Sequence, residues 1–468
     1  MKKILYLLVV MLCGLSCTDQ EAVTDPFGEK PRLLVLTDFE ADPDDTQSMI
    51  RLLTYSNQID IEGLIATTSI HQPKRIAPES IIRILLEYQK VRDNLLKHEP
   101  GFPTYSYLAD RVSNGLGIFG MEGVGEGKDS PGSEMIINVL EKDDVRPLWV
   151  SVWGGVNTLA QALWKIDATK TAEEAQRLYK KLRVYTISDQ DDSGPWIRKN
   201  FPSVFYIVTP GYTYGKATWI GISNRAPGAD TSVISPQWIA DNIQQGHGPL
   251  GAAYPDVAYA MEGDTPSFLG LILNGLNVPE RPDLGGWGGR YNLYIPEFEE
   301  ERVRPGWPQS EPETRPIWTN TQDSVVKGRN FYKDNTSSIW RWRTEFQNDF
   351  AARIDWSIKS YEEANHPPVV SLGHPQEFTV KSGEMFWLSS LGTYDPDGDS
   401  MSYEWIQYYE LGSYHTPVRF DGSTRMYEVR PFAPIVESPQ TIHFILKVTD
   451  KGSPPLTRYQ RVIVTVVP

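Results

Sequence analysis

Apolar runs and amphipathic stretches alternate along the chain from Arg32 to Val208. Arg32 to Thr37 contains the unbroken aliphatic run Leu33-Leu34-Val35-Leu36, the pattern of a strand buried on both faces. Thr46 to Tyr55 follows as a helix with Met49, Ile50, Leu52 and Leu53 on its apolar side, and Ile61 to Thr67 is the next strand. Pro78 to Lys97 predicts a long helix: Pro78 suits the first turn, and Ile81, Ile82, Leu85, Tyr88, Val91 and Leu95 recur at helical spacing. Helices over Gly132 to Leu140, Asn157 to Ile166 and Thr171 to Leu182 then alternate with strands over Pro147 to Val152, Val184 to Ile187 and Val204 to Val208. This order predicts an α/β fold, an open and mostly parallel sheet with helices on both faces, whose ligands bind beyond the carboxyl ends of the strands. Asp38 to Asp45, Thr67-Thr68-Ser69, Trp153 to Asn157 and Ser188 to Asp192 lie at those ends and should converge on one crevice.

Glu262 to Ser267 opens another helix running to about Leu273, with Asp264 or Thr265 as its cap. Gly285-Gly286-Trp287-Gly288-Gly289 either presents Trp287 to a ligand or makes a tight turn over a core tryptophan. Pro305, Pro308, Pro312 and Pro316 mark an extended surface segment, and Ser338 to Ile358 is the last helix of the first domain, residues 31–364. After Asn365-His366-Pro367-Pro368 the period changes to short alternating strands at Glu384 to Leu388, Ser402 to Gln407, Thr441 to Thr449 and Arg458 to Val467. Residues 366–468 are therefore expected to form an all-β, Ig-like sandwich. Its turn Asp395-Pro396-Asp397-Gly398-Asp399 has the composition of a hairpin loop and equally that of a Ca2+ loop.

The formal charge of −15 argues against nucleic acid or anionic lipid as the main partner, whereas a neutral carbohydrate is compatible. Met1-Lys2-Lys3, the apolar run Ile4 to Leu12 and Gly14-Leu15-Ser16-Cys17 have the layout of a secretory signal peptide, and Cys17 resembles a lipobox cysteine. Residues 1–17 are expected to be a lipoprotein signal peptide and 18–30 a tether. The protein is then exported to the cell envelope, with Thr18 after the cysteine favouring the outer membrane, and touches the membrane only through lipid on Cys17. Cys13 and Cys17 are the only cysteines, so a mature chain beginning at Cys17 has no internal disulfide and rests on its core.

Asp38, Glu40, Asp42, Asp44 and Asp45 crowd the end of the first strand. Buried carboxylates repel one another and lose hydration, so such a cluster calls for a hard cation, with Ca2+ the natural choice. The competing explanation is a solvated turn in which Asp44 or Asp45 caps the next helix. A serine hydrolase is excluded by the lack of a nucleophile elbow. A zinc site is excluded because His71, His98 and His247, the histidines before the boundary, are scattered. A phosphatase with Asp-x-Asp after the first strand does not fit Asp38-Phe39-Glu40.

Asp38-x-Glu40-x-Asp42-x-Asp44-Asp45 resembles the nucleoside hydrolase signature D-x-D-x-x-x-D-D, with Glu40 in place of its second Asp. Gly154 to Ala160 resembles that superfamily's strand-end motif, and Asp264 stands where its late metal-binding Asp would be. Leu36 to Thr68, Ser188 to Trp196, Glu262 to Ser267 and Gly285 to Arg290 are similar to the secreted nucleoside-hydrolase-like family often labelled cellulose-binding, which carries an Ig-like C-terminal domain. The resemblance implies one Ca2+ that binds sugar hydroxyls and the attacking water. Glu40, Asp45, Asn157 through its backbone carbonyl, and Asp264 would then be metal ligands, Glu40 also the general base, Asp44 and Asn157 substrate contacts, and Asp38 a structural residue of the loop. Gly263 replaces the superfamily's leaving-group histidine, so the proton would come from Glu262, Asp189 or Asp192, with His247 a weaker candidate. Two functions follow: a Ca2+-dependent glycosidase acting on a glycan- or nucleoside-type substrate, furanosides included, or a carbohydrate-binding lipoprotein in which Ca2+, Trp196 and Trp287 hold sugar without turnover.

Overall fold

The structure, a computed structural model, describes residues 29–211, 214–216, 218–298 and 311–468. The expected signal peptide, Cys17 and nearly all of the tether lie outside the described residues. Among those described, no helix is long and apolar enough to cross a membrane.

The first strand, β1 (Arg32–Thr37), is buried at every position. Because side chains alternate across a strand, Leu33 and Val35 enter one apolar cluster and Leu34 and Leu36 the other. Its neighbours are β2 (Asp60–Ala66) and β4 (Leu148–Val152), both parallel to it. With β3 (Val112–Asn114), β5 (Leu182–Thr186), β6 (Phe205–Val208), β7 (Tyr291–Tyr294) and β8 (Ile317–Asn320) they form a sheet in the order β3-β2-β1-β4-β5-β6-β8-β7. Only β7 runs antiparallel, at the edge. One face is covered by α1 (Asp44–Thr54), α2 (Pro78–His98) and the helix Arg343–Asp355, through residues such as Ile50, Leu85 and Phe350. The other is covered by α4 (Pro131–Glu141), α5 (Asn157–Thr169), α6 (Ala172–Lys181) and α7 (Ser193–Asn200), with α3 (Tyr105–Ala109) packing beside α2.

The structure departs from the sequence expectation in several elements. The single helix expected over 338–358 is broken into Ser337–Trp340 and Arg343–Asp355. The helix expected from 264 to 273 is one turn, Pro266–Leu269, and its N-cap residue Thr265 has no capping side-chain bond. A hairpin of β9 (Asp323–Lys327) and β10 (Asn330–Asp334), the edge strand β7 and its neighbour β8 follow sequences too short for a periodicity.

The C-terminal part is all β. One sheet has the order β11-β16-β15-β13, from Glu377–Lys381, Thr457–Val467, Gln440–Thr449 and Ser402–Gln407. A second pairs β12 (Leu388–Ser389) with β14 (Glu428–Val429). Their inner faces share a core of Leu388, Trp405, Phe444, Leu446, Val462 and Val464. Tyr408 and Tyr459 instead join the apolar cluster of the α/β part, packing edge-on against Trp342, and Arg461 donates to the carbonyls of Leu276, Leu284 and Gly285 at 3.0 to 3.1 Å.

Candidate functional site

The carboxyl end of β1 delivers Asp38, and the turn after it leads straight into α1, which begins at Asp44. Neither Asp44 nor Asp45 caps that helix: its N-cap is Pro43, without a side-chain cap bond. Their carboxyl groups instead join that of Asp264. One oxygen of each lies within 4.8 Å of the others, and all three residues are buried. Thr37 donates to Asp45, the Trp219 Nε1–H donates to Asp44 Oδ2 at 2.8 Å, and Asp264 Oδ2 is buried with no hydrogen-bond partner.

Two unit charges at such a separation repel by roughly 3 to 4 kcal/mol at an effective dielectric near 20. Burial first, and then the neighbouring carboxylates, push Asp44, Asp45 and Asp264 well above the usual carboxylate range. Burial likewise raises Asp38 to about 7, against a hydrogen bond from Ser69. Three acceptor-only side chains converge, and one of them has an orphaned buried oxygen. The donor set therefore fits a hard cation such as Ca2+, whose charge would restore the ionised forms.

The triad opens into a cavity of about 510 Å³ lined also by Asp38, Asp42, His71, Trp153, Gln190, Tyr214, Trp219 and Tyr259. Three of the four strand ends singled out from the sequence contribute: Asp38 to Asp45 through its acids, Trp153 to Asn157 through Trp153, and Ser188 to Asp192 through Gln190. The Trp153 carbonyl accepts from Gln190 Nε2 at 2.5 Å, and His71 Nε2 lies 3.0 Å from the Tyr214 hydroxyl.

Several expected site residues lie elsewhere. Glu40 has φ +79°, which turns its side chain out of the crevice to Ser80, Arg75 and Arg83, the last at 2.8 Å. Glu262 is fully buried beneath the site and accepts from Arg51 at 2.5 and 2.9 Å, Tyr254 at 2.7 Å and Thr265 at 2.8 Å. Asp189 is held by both terminal nitrogens of Arg198 at 2.8 and 2.9 Å, and lines a different cavity with Tyr294 and Phe298. Asp192 is exposed and accepts from the Met121 amide at 2.8 Å. The Asn157 side chain, though not the backbone carbonyl expected as a ligand, is occupied by Thr67, Thr68 and the Ile118 carbonyl, and the Asn157 backbone amide donates to Asp191 at 3.1 Å. His247 stands 2.9 Å from Asp355, outside the residues lining the triad's cavity. Trp196 packs edge-on against Phe201, and Trp287 is wholly buried against Phe346 and Tyr459. The glycine-flanked loop is thus the tight turn over a core tryptophan, not a sugar-binding face.

Gly263 has a steric reason to be glycine. A Cβ there would lie 2.1 Å from the Trp219 indole and 2.6 Å from Asp44 Oδ2, so Trp219 fills the space a histidine side chain would need. Trp219, Tyr259, His71 and Tyr214 have no sequence signature because they come from loops and single 3-10 turns too short for a periodicity.

A model of the family described as cellulose-binding Sde182, nucleoside hydrolase-like domain, matches residues 32–291. A second, the C-terminal domain of the cellulose-binding protein Sde0182, matches residues 385–466. A solved nucleoside hydrolase-related protein from Saccharophagus degradans, described as associated with carbohydrate metabolism, is 36% identical over 94% of this chain and 100% of its own, with a TM-score of 0.77. The effector XOO4466 and the effector XopQ, the latter solved with adenosine diphosphate ribose, are 12% identical, with TM-scores of 0.28 and 0.27 over 71% of this chain and 95% of theirs. No curated protein matches the chain. With its nucleoside-hydrolase-like sheet, its strand-end acidic pocket and its all-β C-terminal part, the chain belongs to the cellulose-binding Sde182 family.

Proposed function

We propose that the protein is a Ca2+-dependent glycosidase that acts on a short piece or chain end of a carbohydrate in the strand-end pocket. The observation that carries this reading is the buried, unpartnered Asp264 Oδ2 beside Asp44 and Asp45, in a cavity that holds two further acids, Asp38 and Asp42. Asp44, Asp45 and Asp264 would hold the ion. When bound, Ca2+ supplies coordination for neighbouring sugar hydroxyls and makes water easier to deprotonate. The cavity is of the size that encloses a small ligand and is lined by aromatic rings on which a sugar can stack, so it suits a limited stretch of glycan rather than an extended surface.

Within the pocket Asp38 takes the role of general base that the resemblance gave to Glu40, since Glu40 faces Arg75 and Arg83. His71, hydrogen-bonded to Tyr214 at the pocket wall, is the proton donor for the leaving oxygen. Trp219 fixes the Asp44 carboxylate for a sugar hydroxyl. A positioned acid or base contributes typically 10²- to 10⁴-fold to rate. The second reading, binding without turnover, is favoured by one observation: Glu40, the position matching the superfamily's base, is tied up in ion pairs. Export, with anchoring through lipid on Cys17, is part of the proposal and rests on the residue pattern of the N-terminus.

The test is a screen of plant-cell-wall oligosaccharides and nucleosides with wild type, Asp38→Asn, His71→Gln and Glu40→Gln. Turnover lost in the first two and kept in Glu40→Gln supports the assignment. Turnover unaffected by Asp38→Asn sinks the assigned base, and tight binding without any turnover selects the second reading.

A further inference from the structure

Three short segments meet where the α/β part passes into the β-sandwich: Asn365-His366, Asp395 to Asp399, and Asp450 to Leu456. Asn365 Nδ2 donates to Asp450 Oδ1 at 3.1 Å and to the Pro454 carbonyl at 2.8 Å. Those two acceptors fix the amide orientation, because a flipped amide would set oxygen against oxygen. Asn365 Oδ1 is therefore turned away from them, and it is buried with no donor.

Asp450 repeats the arrangement. Its Oδ1 accepts from Asn365, from the Gly452 amide at 3.0 Å and from the Leu456 amide at 2.9 Å, while its Oδ2 is buried without a partner. Asp395 does so again: Oδ1 accepts from the Asp397 and Asp399 amides at 3.0 Å each, and Oδ2 is buried without a partner. Asp450 is 0% exposed and Asn365 6%. The charge of Asp395 adds to burial in raising Asp450, so the two carboxylates lie within electrostatic reach. Asp397 is committed to His366, accepting from its amide at 2.6 Å and facing its Nδ1 at 2.9 Å, which ties the Asp395 loop to the residue after Asn365. Gly452 closes the chain over the group, since a Cβ there would lie 2.1 Å from Asn365 Oδ1.

Each of the three side chains is anchored through one atom by donors and leaves a second, acceptor-only oxygen buried. A water molecule has two hydrogens to give and would leave both carboxylate charges uncompensated. A divalent cation held between the three segments would give all three oxygens a partner and offset both charges. The mix of carboxylate and amide oxygens on irregular backbone suits the adaptable coordination of Ca2+ better than the strict octahedron of Mg2+.

We propose that Asn365, Asp395 and Asp450 form a second, structural Ca2+ site at the junction of the two parts, separate from the pocket triad. Bound ion there would join the last residues of the α/β part to two loops of the sandwich, so that the two parts unfold together.

Ca2+ bound per chain, measured by equilibrium dialysis on the full chain, tests this. Wild type is expected to hold two ions. Asp395→Asn and Asp450→Asn should each hold one, Asp264→Asn one, and the double variant Asp264→Asn/Asp395→Asn none. Asp395 is only half-buried in a loop, so its variant keeps the test open if Asp450→Asn does not fold. In the Asp264→Asn background, Tb3+ in place of Ca2+ should luminesce on tryptophan excitation, because Trp356 Nε1 donates to the Asn365 carbonyl at 2.9 Å. Loss of that emission in Asp264→Asn/Asp395→Asn supports the site. Two ions retained by folded Asp395→Asn, or a single wild-type ion lost only in Asp264→Asn, would overturn it. A single wild-type ion lost only in Asp395→Asn would support it while removing the pocket ion.

Discussion

Glu262 is a carboxylate at the site whose role the geometry reverses, and replacing it separates a structural acid from a catalytic one. The side chain is 0% exposed and faces Arg51, itself 0% exposed, through contacts of 2.5 and 2.9 Å. Tyr254 and Thr265 also donate to it. Glu262→Gln keeps the shape but sets an amide nitrogen against guanidinium hydrogens and leaves Arg51 without its counter-ion. Breaking a buried pair by removing one partner costs about 3 to 5 kcal/mol. Equilibrium urea unfolding in EDTA, so that metal linkage does not enter, is expected to show a loss of that order. Arg51→Met should be similarly destabilising, and the double variant less so than the sum, because neither charge is then stranded. Glu262→Gln within about 0.5 kcal/mol of wild type, with turnover abolished, would refute the reasoning and return Glu262 to the role of proton donor.

Asp264→Asn should unfold at higher urea than wild type in EDTA, because it removes one of three mutually repelling carboxylates. Saturating Ca2+ should shift the comparison in favour of wild type by about 2.7 kcal/mol at a hundredfold excess over Kd, a gain the variant's pocket lacks; an unchanged difference between the two proteins in both conditions would contradict the triad as an ion site. Trp287→Ala should cost about 3 to 5 kcal/mol of stability through core loss and leave glycan affinity of the folded fraction unchanged, as checked by titration calorimetry. His247 is raised by its bond with Asp355, and in Asp355 the His247 and Lys359 bonds outweigh burial and lower it. The histidine contribution is full below its unfolded pKa near 6.5 and lost as pH rises through the higher folded value. The aspartate contribution is full above about 3.9 and lost as pH falls through the lower folded value. His247→Asn should therefore differ most from wild type in thermal melts between about pH 4 and 6.5, with the gap closing as pH rises through the higher folded value.

The sheet was legible because β1, β2, β4 and β5 are buried on both faces and interleaved with strongly amphipathic helices. The acids after β1 were legible because strand and cluster adjoin in sequence. Local sequence could not show that Glu40 adopts φ +79° and leaves the crevice, since that depends on Arg75 and Arg83 from the segment before α2 and its first turns. Trp287 had two readings of equal merit, and only its packing on Phe346 and Tyr459 decides between them. Trp219 and His71 carry no sequence signal at all, because a residue of a loop or a single 3-10 turn becomes part of a pocket only through the tertiary path of its segment. The Asp395 turn was recognisable as a Ca2+ candidate, but its partners Asn365 and Asp450 lie on other segments.

The most direct measurement is product release from the glycan panel by wild type and Asp264→Asn, across a Ca2+ titration from chelated to saturating. Turnover is expected to rise with Ca2+ in wild type, to vanish on chelation, and to be absent at every Ca2+ concentration in folded Asp264→Asn. Turnover indifferent to Ca2+, or retained in Asp264→Asn, would contradict it.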